Sequence, residues 1–178
     1  STTYARAGEG GTGAAKCGGN YAASMIAQTE GEKHGCKQVI FKDPHRGDAI
    51  EELGGMNVFF IFGKENKIVT PELTGTILEG VTRSSLIQLA KDRGMTVEER
   101  AITLNEWREG VANGDITEIF ACGTAAVVAP IGKLKAEDFE IPAPTEHFGE
   151  ISKSLREELV GIQLGTVEDR HGWMTRLI

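Results

Sequence analysis

The chain has 178 residues, the length of one domain and barely two, with hydrophobic and charged fractions of 40% and 25% that suit an ordinary globular core. Acidic residues outnumber basic ones by 26 to 19, giving a net charge of −7. No basic block offers the phosphate-neutralising surface that nucleic-acid binding requires, so a nucleic-acid partner is not expected. The longest apolar stretches, 58–62 and 125–130, fall far short of the ~18 residues of a membrane span. The first seven residues, Ser-Thr-Thr-Tyr-Ala-Arg-Ala, show no charged head followed by an apolar core, so no secretory leader is expected. Cys17, Cys36 and Cys122 are odd in number and form no CxxC, which fits a reducing compartment and makes the cytoplasm the expected location.

In chain order, a short extended segment leads into a glycine-rich run from Gly8 to Gly19. Asn20 is placed to cap a helix with Tyr21, Ala22, Met25, Ile26 and Thr29 on one face, ending near 31–35. Residues 37–42 read as a strand, followed by a polar turn over 43–48. Residues 57–63 form a Phe-rich buried strand, 64–67 a hairpin-like turn and 68–70 the return. Thr82 opens a helix with Leu86, Leu89 and Ala90 inward, stopped by Gly94. A strand over 96–102 precedes Thr103-Leu104-Asn105-Glu106, a capping box for a short helix. Strands over 116–122 and 125–130 flank Gly123-Thr124. In a last helix, Phe148, Ile151, Leu155, Leu159 and Ile162 keep three-to-four spacing. Strands interleaved with helices in one domain make the class α/β.

The glycine run matches neither of two phosphate-binding signatures. Gly8-x-Gly10-x-x-Gly13 has dinucleotide-fingerprint spacing, but Gly18-Gly19 separate it from the helix whose N-terminus would hold the pyrophosphate. Gly8 and Gly13 have P-loop separation, yet Ala14-Ala15-Lys16-Cys17 stands where Gly-Lys-Ser/Thr is required. Taken alone, the segment reads equally as a flexible loop with a solvated lysine. Small uncharged neighbours around Lys16 also fit a nucleophilic amine, since a poorly hydrated site favours the neutral form, and flanking glycines admit a bulky planar ligand.

Gly10-Gly-Thr-Gly-Ala-Ala-Lys16-Cys-Gly-Gly-Asn20-Tyr21-Ala-Ala-Ser24 resembles the cofactor-lysine segment of branched-chain-amino-acid aminotransferases, enzymes of fold type IV that use pyridoxal 5'-phosphate. Three further stretches agree in order: Ile50 to Phe60, Leu78 to Arg83, and Phe120 to Ala126. The ending, Gly161-Ile162-Gln163 through His171-Gly172-Trp173, is similar as well. The resemblance therefore spans nearly the whole chain. It implies the large C-terminal cofactor domain of the family, an α/β pseudo-barrel like that of D-amino-acid aminotransferase.

The resemblance implies a role for each matched residue. Lys16 is the Schiff-base and proton-transfer residue, and Tyr21 the hydrogen-bond partner of the cofactor's phenolic oxygen. Glu52 is the carboxylate facing the pyridine nitrogen, with Glu51 expected to be a solvated neighbour. Val81 and Thr82, at a helix start, supply backbone N–H groups and a hydroxyl to the phosphate, as an anion at a helix N-terminus requires. Thr124 adds a second hydroxyl there, while Gly55 and the Thr124-Ala125-Ala126 turn meet the substrate. No metal is expected, because His34, His45, His147 and His171 lack ligand spacing; no thiol switch is expected, because Ala126 and Ala129 stand where some relatives carry CxxC.

The implied activity is transamination of leucine, isoleucine and valine with 2-oxoglutarate. D-amino-acid aminotransferase, aminodeoxychorismate lyase and a non-catalytic phosphate-binding module are the alternatives. Family members also place a smaller domain before the lysine segment, which supplies an arginine to the phosphate and aromatics to the side-chain pocket. Only 15 residues precede Lys16, and Arg6 is too close to match that arginine. The chain is thus expected to be one domain, partnered by an N-terminal domain of the same enzyme and by a second copy in a homodimer.

Overall fold

Alternation along one strand determines where the core lies. In the computed structural model, which describes residues 1–145 and 147–177, all six residues of β3 (Asn57–Phe62) are buried. Phe59 and Ile61 face one side and Val58, Phe60 and Phe62 the other, as the period of two in an extended chain requires. Both faces of this strand must therefore be covered.

β3 is the centre of a five-stranded mixed sheet in the order β5-β4-β3-β6-β7. Its members are β4 (Lys67–Thr70), β5 (Thr96–Glu99), β6 (Ile116–Gly123) and β7 (Val127–Pro130). All pairings are antiparallel except β4 with β5. On one face, α2 (Val81–Asp92) and α4 (Glu150–Gln163) pack Leu86, Leu89, Leu155 and Leu159 onto Phe59, Ile61 and Phe120. On the other face, α3 (Leu104–Ala112) sets Trp107 edge-on against Phe60 at 5.2 Å. Short hairpins β1 (Ile40–Lys42) with β2 (Ile50–Leu53), and β8 (Leu134–Lys135) with β9 (Glu140–Ile141), complete the described strands. The expected α/β class holds.

The first helix corrects the sequence reading. α1 runs Gly19–Lys33 with Gly18 at its cap position, and Asn20 lies inside its first turn. The Asn20 amide instead donates to the carbonyls of Thr12 and Ala15, and its oxygen accepts from the Thr12 hydroxyl, so it ties down the glycine loop. The expected apolar face is turned outward: Met25 is 66% and Ile26 50% exposed, while Asn20, Ser24 and Ala27 are buried. Small side chains win that face because the Gly54 backbone comes so close that a Cβ there would lie 3.3 Å from Ser24 Cβ. The strand expected over 37–42 shortens to β1. Thr103 caps α3 as expected, but Glu106 pairs with Arg100 rather than closing the box.

Glu118, on β6, supplies a cap that no sequence pattern announced. Buried, it accepts hydrogen bonds from the backbone N–H groups of Ile151 (2.9 Å) and Ser152 (2.8 Å) at the start of α4. A carboxylate there satisfies two orphan donors and the positive end of the helix dipole. Glu118→Ala should lower unfolding stability by about 1–3 kcal/mol in urea titration, with Glu118→Gln losing less.

Candidate active site

At the end of the sheet where β3 begins and β6 ends, the side chains leave a pocket of about 290 Å³. Four other segments reach it: the loop before α1, the turn after β2, the N-terminus of α2 and the turn after β6. Lys16, Tyr21, Glu52, Gly55, Val81, Thr82 and Thr124 all line it. Residues spread over more than a hundred positions of sequence thus meet at one cavity, as their assigned roles require.

Glu52 sits on β2, only 2% exposed. Arg6, itself 8% exposed, places Nη2 2.8 Å from Glu52 Oε1. Asn57, the first residue of β3, donates from Nδ2 to Glu52 Oε2 at 3.1 Å and to the Leu78 carbonyl at 2.9 Å. Burial pushes the Glu52 carboxyl up to about 7, and the positive charges of Arg6 and Lys16 oppose that rise. Arg6 Nη2 also donates to the carbonyls of Gly13 and Thr76. Those two backbones are in such close contact that a Cβ on Gly13 would lie 2.2 Å from the Thr76 oxygen, so only glycine fits there.

The lysine side is more open. Lys16 is exposed, with its amine over the Tyr21 ring at 5.5 Å from the centroid. The water-poor setting expected around it is therefore absent from this chain taken by itself. Its flanking alanines and glycines remove bulk but add no cover.

α2 starts directly at the pocket. Gly80, at φ +73°, turns the chain into the helix, and a Cβ there would strike Asn57 Oδ1 at 2.3 Å. No side chain caps the helix, so the N–H groups at Val81 and Thr82 keep their capacity for an anion. Thr124 follows β6 in an exposed turn toward the same space. Ala125 and Ala126 continue that turn but do not line the pocket. Val127 closes it at φ +57°, a strained conformation for a β-branched residue.

Glu51 departs from expectation. It is 3% exposed rather than solvated, and the Thr76 hydroxyl beside it offsets only part of the cost of that burial. Burial raises its pKa above the ordinary carboxylate range. Glu51 and Glu52 are both buried because β2 is covered on both sides. Cys122, at the pocket floor, has its thiol pushed up to about 12 by burial, which keeps it neutral.

Two residues of the site had no assigned role: Arg6 and Asn57. An arginine ten positions before a lysine forms no recognised motif. Asn57 lies within the Ile50 to Phe60 stretch that carries the resemblance, and that membership was its only signal.

Comparison with known proteins agrees with this geometry. Residues 7–134 match the family described as amino-transferase class IV. The chain is 52% identical over 176 residues to the branched-chain-amino-acid aminotransferase of Mycolicibacterium smegmatis, covering 98% of this chain and 48% of that protein. It is 48% identical over 170 residues to a probable branched-chain-amino-acid aminotransferase of Staphylococcus aureus, covering 96% and 47%. Among solved structures, the branched-chain amino acid aminotransferase of Thermobaculum terrenum in its PLP-form superimposes with a TM-score of 0.78 at 29% identity, over 97% of this chain and 52% of that one. The Escherichia coli enzyme gives 0.76 at 29% identity, over 92% and 50%. The chain spans about half the length of the curated relatives it matches. Its fold is the fold type IV architecture of these neighbours. With most of its length matched and these identities over nearly all of it, the chain belongs to the class IV aminotransferase family.

Proposed function

We propose that the chain is the cofactor-binding domain of a pyridoxal 5'-phosphate-dependent branched-chain-amino-acid aminotransferase, exchanging amino groups between leucine, isoleucine or valine and 2-oxoglutarate. The observation that carries this reading is the meeting of Lys16, Tyr21, Glu52 and the uncapped N-terminus of α2 at one pocket. These residues fit the cofactor's three demands. An accessible amine can hold its aldehyde, a buried carboxylate with cationic support can face its ring nitrogen, and free N–H groups can take its phosphate. Arg6 Nε, buried and without a hydrogen-bond partner among the described residues, leaves a further donor on the pocket wall.

When bound, pyridoxal phosphate supplies an aldehyde for amine capture and a ring that accepts the electrons left when a substrate α-proton departs. Lys16 would hold the cofactor through its amine, and the same amine, when free, would take and return the α-proton as a general base and acid. The Tyr21 hydroxyl would donate a hydrogen bond to the ring's phenolic oxygen. The Glu52 carboxylate would accept from the ring nitrogen and favour its protonated form. Val81 and Thr82 N–H groups, the Thr82 hydroxyl and the Thr124 hydroxyl bind the phosphate. Gly55 and Thr124 would contact the substrate, and the turn that Ala125 and Ala126 continue outside the pocket lining would offer backbone N–H groups to its carboxylate.

A non-catalytic phosphate-binding module would need neither the lysine nor the ring carboxylate. The relatives' double length and the exposure of Lys16 support a second, N-terminal domain of the same enzyme that covers the pocket and supplies the remaining phosphate and side-chain contacts. We place the enzyme in the cytoplasm as a homodimer, with small amino and 2-oxo acids as its substrates.

Borohydride reduction of the cofactor-loaded protein should label Lys16; a label on Lys33 or Lys42 would overturn the assignment. Glu52→Gln should slow α-proton removal on the order of 10²-fold while leaving cofactor affinity much less affected, since a charge held opposite the ring matters most as electrons arrive there. Unchanged single-turnover rates would refute the role. The 178-residue chain by itself should turn over leucine and 2-oxoglutarate far below the ~1–10³ s⁻¹ usual for enzymes, because an open pocket admits water. Steady-state assays with and without the N-terminal domain check this, and full turnover by the chain alone would sink it.

A further inference from the structure

We infer that Arg6 is the positioning residue for Glu52: its buried guanidinium orients the carboxylate and favours its anionic form, ready for a protonated ring nitrogen. This rests on the role proposed above for Glu52.

The geometry is specific to that task. Arg6 lies outside every helix and strand, yet it is 8% exposed and its Nη2 is 2.8 Å from Glu52 Oε1. The same nitrogen donates to the carbonyls of Gly13 and Thr76, so the guanidinium cannot swing away without breaking two backbone contacts. Asn57 holds the opposite oxygen, Oε2, and is itself fixed by the Leu78 carbonyl. Oε1 is thereby held by the Arg6 charge and Oε2 by the Asn57 hydrogen bond. Arginine suits the position because it stays charged even when buried.

Without that cation the carboxylate would face a poor balance. Burial favours its protonated form, and a protonated carboxyl cannot accept from a protonated ring nitrogen. The groups acting on Glu52 are few. Arg6, the Leu78 backbone N–H and Lys16 favour the anion, Glu51 from the neighbouring position disfavours it, and the Cys122 thiol on β6 remains neutral. Lys16 is exposed and is the residue that chemistry must release, so Arg6 is the fixed member of the pair of cations.

The test uses the 178-residue chain with ¹³C-labelled glutamate and no cofactor. The Glu52 carboxyl resonance, assigned by its loss in Glu52→Gln, is followed against pH. The wild-type midpoint should lie at about 7. Arg6→Gln retains a donor for the Gly13 and Thr76 carbonyls but drops the charge, and should raise the midpoint by about one unit or more, a tenfold change in proton affinity. Arg6→Lys should recover most of that shift. A midpoint in Arg6→Gln unchanged from wild type overturns the proposal, since a residue that only ties two loops together would move stability and not this titration. Should both variants unfold, the Arg6 guanidinium resonances of the wild type decide: they follow the Glu52 midpoint if the two are coupled, and indifference to it overturns the proposal. Adding pyridoxal phosphate tests the underlying assignment separately. A Glu52 signal that ignores the bound cofactor, while its midpoint still depends on Arg6, removes the ring-nitrogen role and leaves the coupling standing.

Discussion

From Val58 to Ile61 the chain has no exposed surface, so both sides of one strand have to be covered by other parts of the same polypeptide. Much else follows from that demand. The period of two sends Phe59 and Ile61 to α2 and α4, and Val58 and Phe60 to α3 and the β1–β2 hairpin side. With both faces filled by apolar side chains, polar groups can gather only at the ends of the strand. Asn57 stands at one such end, paired across the sheet with Cys122, and the pocket opens there. α2 is brought to the same end because its apolar stripe must lie along the sheet, which leaves its N-terminus pointing into the cavity.

Among the described residues three glutamates are buried, and two of them, Glu118 and Glu52, stand in contrasting circumstances. Glu118 accepts from two backbone N–H groups and serves the fold. Glu52 has an arginine and an asparagine and still rises to about 7, so its burial weighs against the folded chain. A raised carboxyl contributes stability below its unfolded pKa and loses that contribution as pH climbs through the folded value. For Glu52 this window runs from the ordinary value of 4.5 to about 7. A cationic group binding opposite the carboxylate would reverse the effect. Retention of a locally unfavourable charge beside a cavity is characteristic of a functional site.

Much of this was legible in the sequence. The Phe-rich strand, the helix opening at Val81 and the Gly123-Thr124 turn each carry a local pattern, and ordered motifs joined them into one site. Side-chain direction was harder. Glu51 and Glu52 are adjacent, and the covering of Glu51 depends on segments far away in sequence. α1 was misread because apolar size suggested its inner face, whereas the close approach of the Gly54 backbone leaves room there for a side chain as small as Ser24. Arg6 was invisible in its role because nothing nearby in sequence indicates a partner on β2. Periodicity reports faces; it does not report which distant backbone will come within van der Waals contact.

The Arg6 contacts also bear on the order in which the molecule takes shape. The segment before Gly19 contains no helix or strand, and several of its anchors are remote: the Thr76 carbonyl is 70 residues from Arg6. Closing so long a loop costs entropy that local contacts there cannot repay, so the lysine loop has nothing to settle on until β2 and the approach to α2 exist. It is accordingly the part of the site expected to order last, and to open first under native conditions, while the strands behind it stay closed to solvent exchange. The Lys16 amine is carried by the least independently stable piece of the chain, and so is the Arg6 guanidinium that lies against Glu52, so both cations of the pocket order together.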